Sequence, residues 1–275
     1  VPSATVARQL YELLEPICLV TFFAEEPTSA LTSLGLRGYW DGYFAGRAAP
    51  LGQVPAEVVH AAFYSFAPGE AARHIPRVWQ VTTPEAAIAA REQGSAAALR
   101  RILGQLADEP GVRRAADLAT KAAQSAPTPG RVMYAALRTL AVPTDPVAHL
   151  WHAANLLREH RGDGHNTALL AAGIGGTEAH VLFALASGIP AKAFGRVHHL
   201  PAAQLDAVLA GMRSRGLIDD TGWLSEAGRE TREWVEARTD ALAMSPYESL
   251  TPTELEQLIA DLEPIAAVLR EAGSR

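Results

Sequence analysis

The sequence has a single cysteine, Cys18, in 275 residues. No internal disulfide can form, which fits a reducing compartment. No apolar run approaches the roughly 20 residues that a membrane span needs. The longest, residues 168–174, stops at Gly175-Gly176. The N-terminus has no charged stretch leading into an apolar core, so no signal peptide is expected. These absences predict a cytoplasmic protein with no membrane partner. Positive charge is also scarce: 24 Lys+Arg stand against 30 Asp+Glu, a net charge of −6. That balance argues against a nucleic-acid binder that works through bulk charge, and leaves room only for a local basic stripe. The phosphate loop GxxxxGKS/T, a strand-borne GxGxxG, the GxSxG elbow, HExxH and CxxC are all missing. Common ATP, NAD, serine-hydrolase and compact zinc chemistries are therefore not expected.

What is present is alanine-rich and 48% hydrophobic, enough for a sizeable core. Val, Ile, Thr and aromatics do not alternate, which favours helices over sheets. Leu10, Leu13, Leu14, Ile17, Val20 and Phe23 follow helical spacing and predict a helix over residues 7–24. Residues 37–49 predict an aromatic-rich helix closed by Pro50-Leu51-Gly52. Thr83-Pro84 is a helix start, with Thr83 as N-cap. Residues 110–130 read as an Ala-rich connector. Pro143 and Pro146 separate two units, 1–145 and 146–275. In the second, residues 148–161 predict a helix that breaks at Gly162-Asp163-Gly164, and two shorter helices follow.

The order of elements recurs across that boundary. Leu34-Gly35-Leu36-Arg37-Gly38, an eleven-residue helix and Pro50-Leu51-Gly52 match Ala172-Gly173-Ile174-Gly175-Gly176, an equal helix and Gly188-Ile189-Pro190. Cys18 then falls opposite His152. The glycines and chain breaks agree together, which predicts an internal duplication.

Residues 205–240 carry the clearest local pattern. An amphipathic helix from Leu205 to Met212 leads to Gly216-Leu217-Ile218. Asp219-Asp220-Thr221-Gly222 predicts a hairpin turn, Trp223-Leu224 a return strand, and Ser225 the cap of a long helix. The run RSRGLIDDTGWLSEAGRE resembles the recognition helix, wing and closing helix of MarR-type winged-helix proteins. Three further runs, LGLRGYWDGYFAGRAAPLG at 34–52, LWHAANLLREHRGDGH at 150–165 and VEARTD at 235–240, resemble an actinobacterial helix-turn-helix family over nearly the whole chain. The resemblance implies a mainly α fold of two pseudo-symmetric winged-helix-like halves with a small β-hairpin wing. It implies no reaction. The chain departs from that family at Cys18, where the family carries histidine, and so lacks a two-histidine site shared between the halves.

The fold suggests DNA and the residue chemistry opposes it. Base reading needs Arg, Lys, Asn or Gln in the first turns of the second helix, and Gln204 is the one such residue there. Arg213 and Arg215 sit at the helix's far end. Asp219 and Asp220 at the wing tip would repel phosphate. DNA is therefore an unfavoured partner, and Gln204, Arg213 and Arg215 matter only if the protein is a regulator.

Seven of the nine histidines lie between 149 and 199: His149, His152, His160, His165, His180, His198 and His199. His152, His160 and His165 are metal-ligand candidates, with a metal or a haem as the conceivable cofactor. The plainer alternative is a core His152 and surface loop histidines. A second constellation is Arg37, Tyr39, Trp40, Tyr43 and Arg47. Tyr39, Tyr43 and Arg47 share a helical face and read either as one wall of a ligand pocket or as an aromatic interface. Arg47, set among apolar neighbours, needs a fixed anion, supplied by a ligand or internally by Asp163 or Glu178. The leading expectation is a cleft between the halves that binds an anionic or aromatic small molecule. Arg37, Tyr39, Trp40, Tyr43 and Arg47 form one wall, and His152, His160, Asp163, His165 and Glu178 the other. The alternatives are an enzyme of specialised metabolism using the same cleft and a MarR-like regulator. The helices over 84–106 and 225–243 serve either a homodimer or the seam between the halves.

Overall fold

The computed structural model describes residues 3–195 and 200–273. His198 and His199 lie outside the described residues. Helix α1 (Ala4–Phe23) starts at Ser3, whose hydroxyl accepts from the Val6 N–H, as a good N-cap does. It buries Leu10, Leu13, Leu14, Ile17 and Cys18. Helices α2 (Glu25–Thr32) and α3 (Gly38–Ala48) are joined through Gly35, at φ +88°. Helix α4 is Ala56–Phe63, and α5 (Pro84–Leu103) is capped by the Thr83 hydroxyl as the sequence predicts. Then come α6 (Pro110–Ser125), α7 (Val132–Leu137), α8 (Pro146–Ala171), α9 (Gly176–Ala186), α10 (Ala202–Ser214), α11 (Glu226–Leu242) and α12 (Pro252–Gly273). No single described helix is long and apolar enough to cross a membrane.

The apolar residues gather into three cores. The central one is built from α1, α5, α6, α8 and α12. An N-terminal lobe packs Leu31, Leu36, Phe44, Val59, Phe63 and Phe66. A C-terminal lobe packs Leu169, Ile174, Leu182, Leu205, Met212 and Leu224. The lobes meet at Tyr64, which donates its hydroxyl to the Ile174 carbonyl at 2.6 Å. Tyr64 has φ +58°, and the Ser65 N–H bonds back to the Phe63 carbonyl, a tight γ-type turn that costs a non-glycine residue conformational energy. Gly176 faces this turn, where a Cβ would collide with the Tyr64 carbonyl.

The helix starts have a regular spacing. Helices α1 and α8 (Ala4, Pro146), α5 and α11 (Pro84, Glu226), and α6 and α12 (Pro110, Pro252) each begin 142 residues apart. Neighbours repeat with them: α1 packs on α5 and α12, as α8 packs on α11 and α6.

Three local expectations are corrected. Residues 110–125 form a helix, not a connector, because Ala115, Ala116, Ala119, Ala122 and Ala123 make a flat face that lets α6 lie close on α8. Helix α8 runs unbroken through Gly162-Asp163-Gly164. Packing holds it there: Gly164 admits the Arg131 guanidinium, which donates to the carbonyls of His160 and Leu242 at 2.6 and 2.8 Å. The wing shrinks to one antiparallel bridge, Ile218 to Leu224, and no strand forms among the described residues. The Asp219 carboxylate takes the N–H groups of Thr221 and Trp223. Gly228 sits against the Leu217 carbonyl, so α11 begins before a strand pair can extend.

Candidate functional site

A cleft of about 440 Å³ lies where the two lobes face each other over α1 and α8. On α1, Arg8, Tyr11 and Glu15 are spaced by three and four residues and so share a face. On α8, Arg158, Glu159, Arg161, Gly162 and His165 do the same over two turns. The N-terminal lobe adds Tyr43 and Arg47 from α3, and Phe63 and Phe66 at the end of α4. The C-terminal side adds His180 and Phe183 from α9, and Arg232 and Glu236 from α11.

Two ion-pair ladders stiffen the walls. In the first, Glu159, only 3% exposed at its side chain, accepts from Arg47 at 3.3 Å and from Arg158 at 3.1 Å. Arg158 also holds Glu15 at 2.9 Å. Burial pushes the Glu159 pKa up, but Arg47 and Arg158 outweigh it and the net shift is down. In the second, Glu236 and Asp240 are shared by Arg8 and Arg161, at 2.5 to 3.3 Å. The Arg161 guanidinium lies 3.9 Å over the Tyr11 ring, and that of Arg47 4.3 Å over Phe63, close enough for cation–π attraction. The buried Nε atoms of Arg47 and Arg161 have no hydrogen-bond partner among the described residues. Arg232 makes no ion pair among the described residues.

The structure brings three of the expected residues, Tyr43, Arg47 and His165, to this cleft. His165 shares a 2.9 Å hydrogen bond with Thr239. The internal anion for Arg47 is Glu159, not Asp163 or Glu178. Arg37 stands just before α3, where its backbone N–H bonds to Asp41. Tyr39 and Trp40 pack against each other and against Tyr43. Tyr39 borders a separate small cavity with Arg91.

The expected second wall is mostly elsewhere. His152 shares a face with Glu159 but lies two turns away, about 10 Å along the axis. It is buried, which lowers its pKa to about 4. His160 sits edge-on to Tyr134, with neither ring nitrogen hydrogen-bonded among the described residues, and burial lowers its pKa to about 3. Asp163 accepts the Tyr134 N–H at 3.0 Å, and burial raises its pKa to about 7. Glu178 caps α9 through the Gly175 N–H and pairs with Arg215. The unbroken α8 explains this, since no loop folds His160 and Asp163 back toward the cleft. His152, His160 and His165 do not converge. Among the described residues no group of three or more His, Cys, Asp or Glu could hold a metal ion. Cys18 is fully buried, and burial raises its thiol pKa.

The model of a helix-turn-helix family matches residues 7–274, a span that contains all three cores and every residue of the cleft. The chain belongs to that helix-turn-helix family. No curated protein and no solved structure matches it.

In this helix-turn-helix protein, two of the three residues considered for DNA contact have neighbours within the C-terminal lobe. Arg215 bonds to the Gly173 carbonyl at 2.8 Å and to Glu178. Arg213 reaches the Asp219 carbonyl at 3.5 Å. Gln204 is exposed on the first turn of α10. The cleft residues that sequence reasoning missed include Arg8, Tyr11, Glu15, Phe63, Phe66, Arg158, Glu159, Arg161, Gly162, Arg232 and Glu236. Arg8–Tyr11–Glu15 and Arg232–Glu236 were legible as polar faces at helical spacing, and Glu236 falls within the VEARTD run. Nothing in the sequence showed that these faces meet.

Proposed function

We propose that this helix-turn-helix protein binds a small anionic molecule in the cleft between its lobes. The observation that carries this reading is the charge of the lining. Five arginines, Arg8, Arg47, Arg158, Arg161 and Arg232, face three glutamates, and Arg232 makes no ion pair among the described residues. A guanidinium fork suits a carboxylate or phosphate, and the volume falls in the range of small-molecule sites, about 300–1,000 Å³. Calorimetric titration with phosphate, citrate, benzoate and 1-naphthoate tests it. At least one binds, its affinity drops with added salt, and Arg232→Gln weakens it about tenfold. Binding of none of them, or an Arg232→Gln variant that binds as the parent does, overturns the reading.

The chain is further read as two pseudo-symmetric winged-helix-like halves, 1–145 and 146–275. The 142-residue spacing of three helix pairs and their repeated neighbours support that division. The order α10, turn, single bridge and α11 supports a MarR-like ancestry for the second half. Family membership favours a regulator as the second reading. Retardation of DNA at low salt that Gln204→Ala abolishes would support it.

A further inference from the structure

Helix α8 has two interior glycines, and packing accounts for one of them. At Gly164 a Cβ would strike Arg131, so a structural neighbour requires the glycine. At Gly162, apart from its chain neighbours and the helix's own backbone, the one atom of the described residues within 4 Å of a Cβ is Glu159 Oε2, at 3.7 Å, an ordinary contact. Gly162 is helical, and its φ is not in the positive range that favours glycine. An interior helical glycine is destabilising relative to alanine, and neither backbone nor packing requires this one. What it does is open the cleft, whose wall it lines.

The cleft also carries an aromatic cluster and a group of cations about this point, with Arg47 laid over Phe63 on the aromatic side. Tyr43, Phe63 and Phe66 form a ring cluster on the N-terminal lobe, with centroids 5.6 to 6.3 Å apart. On the other side stand Arg8, Arg161, His165 and Arg232, from α1, α8 and α11. The geometry points to Gly162 as the seat of the ligand, an aromatic monoanion that lies over the bare helix backbone. Its ring faces Tyr43, Phe63 and Phe66, and its charged group faces Arg232 and His165. The charge is single because the carboxylates Glu15, Glu159 and Glu236 already occupy most of the guanidinium groups. This rests on the anion-binding reading and adds the ligand's class, its orientation and the residue that makes room for it.

The test uses the 275-residue chain with 1-naphthoate, the neutral aromatic 2-naphthol, and inorganic phosphate. Parent protein binds 1-naphthoate at least tenfold more tightly than either of the others. Gly162→Ala raises the melting temperature by about 1–3 °C and weakens 1-naphthoate at least fivefold. Gly162→Leu abolishes binding while its melting temperature reports that it is folded. Phosphate bound more tightly than 1-naphthoate keeps the anion site but overturns the aromatic ligand. 2-naphthol bound equally well overturns the anionic group. A Gly162→Leu variant that binds 1-naphthoate as the parent does overturns the seat. Absence of all binding to the parent sinks the anion-binding reading itself.

Discussion

Arg47 on α3 meets Glu159 on α8 at 3.3 Å, across 112 positions of the chain. The contact ties the N-terminal lobe to the central core at the wall of the cleft. The Glu159 side chain is buried, and that of Arg47 is 15% exposed. Removing the acid leaves Arg47 without its anion and Arg158 with Glu15 alone, and an uncompensated buried charge costs about 3–5 kcal/mol. Glu159→Gln is expected to lose roughly that much in chemical denaturation. Loss of less than about 1 kcal/mol would mean that water reaches the pair.

Asp163 gives a pH dependence of known sign. Its folded pKa, about 7, lies above the ordinary 3.8 because burial disfavours the carboxylate. The folded state therefore holds a proton that the unfolded chain releases. Stability from this group is complete below about pH 4 and declines as pH rises toward 7. Asp163→Asn, which keeps an acceptor for the Tyr134 N–H, is expected to exceed the parent by a few kcal/mol at pH 8. The gain fades toward pH 4. A constant difference across that range would show that the carboxyl does not titrate there.

His152 works in the opposite direction. Burial, with His149 and Arg91 nearby, lowers its folded pKa to about 4 from 6.5. The neutral ring is favoured in the fold, so stability falls as pH drops from about 6.5 to 4, by on the order of 3 kcal/mol. Urea unfolding of His152→Gln should show a flatter acid limb than the parent. An unchanged slope between pH 6.5 and 4 would rule His152 out as its source.

The Tyr64 hydroxyl is a direct polar link between the lobes. Tyr64→Phe deletes that donor and leaves the Ile174 carbonyl one bond short, at a cost of about 1 kcal/mol. Gly176→Ala is expected to cost more, since its methyl meets the Tyr64 carbonyl. Thermal unfolding that ranks the two in the reverse order would place the lobe contact elsewhere.

The helices were legible where local chemistry decides them. Thr83-Pro84 set the start of α5, and the leucines of α1 set its buried face. The Ala-rich stretch at 110–125 was missed because alanine gives no hydrophobic stripe to read, although it packs as tightly as any. The break expected at Gly162-Asp163-Gly164 weighed local propensity alone, and Arg131, about thirty positions earlier, overrides it. The need of Arg47 for an anion was legible from its apolar neighbours. Its partner was not, because Glu159 and Asp163 share a face of α8 one turn apart, and only the packing sets which of them meets α3. Arg8 and Arg232 lie at opposite ends of the sequence, and only the folded chain puts them in one cleft.

The lone thiol has one more consequence. Cys18 is sealed from solvent, close to Arg158 and Glu159 beneath the cleft wall, so a thiol reagent reaches it only when that region breathes. The protein thus carries its own stopwatch. The rate at which Cys18 is labelled reads out how often the wall parts from the core, and any molecule that clamps the wall slows the clock by the factor with which it holds the site shut.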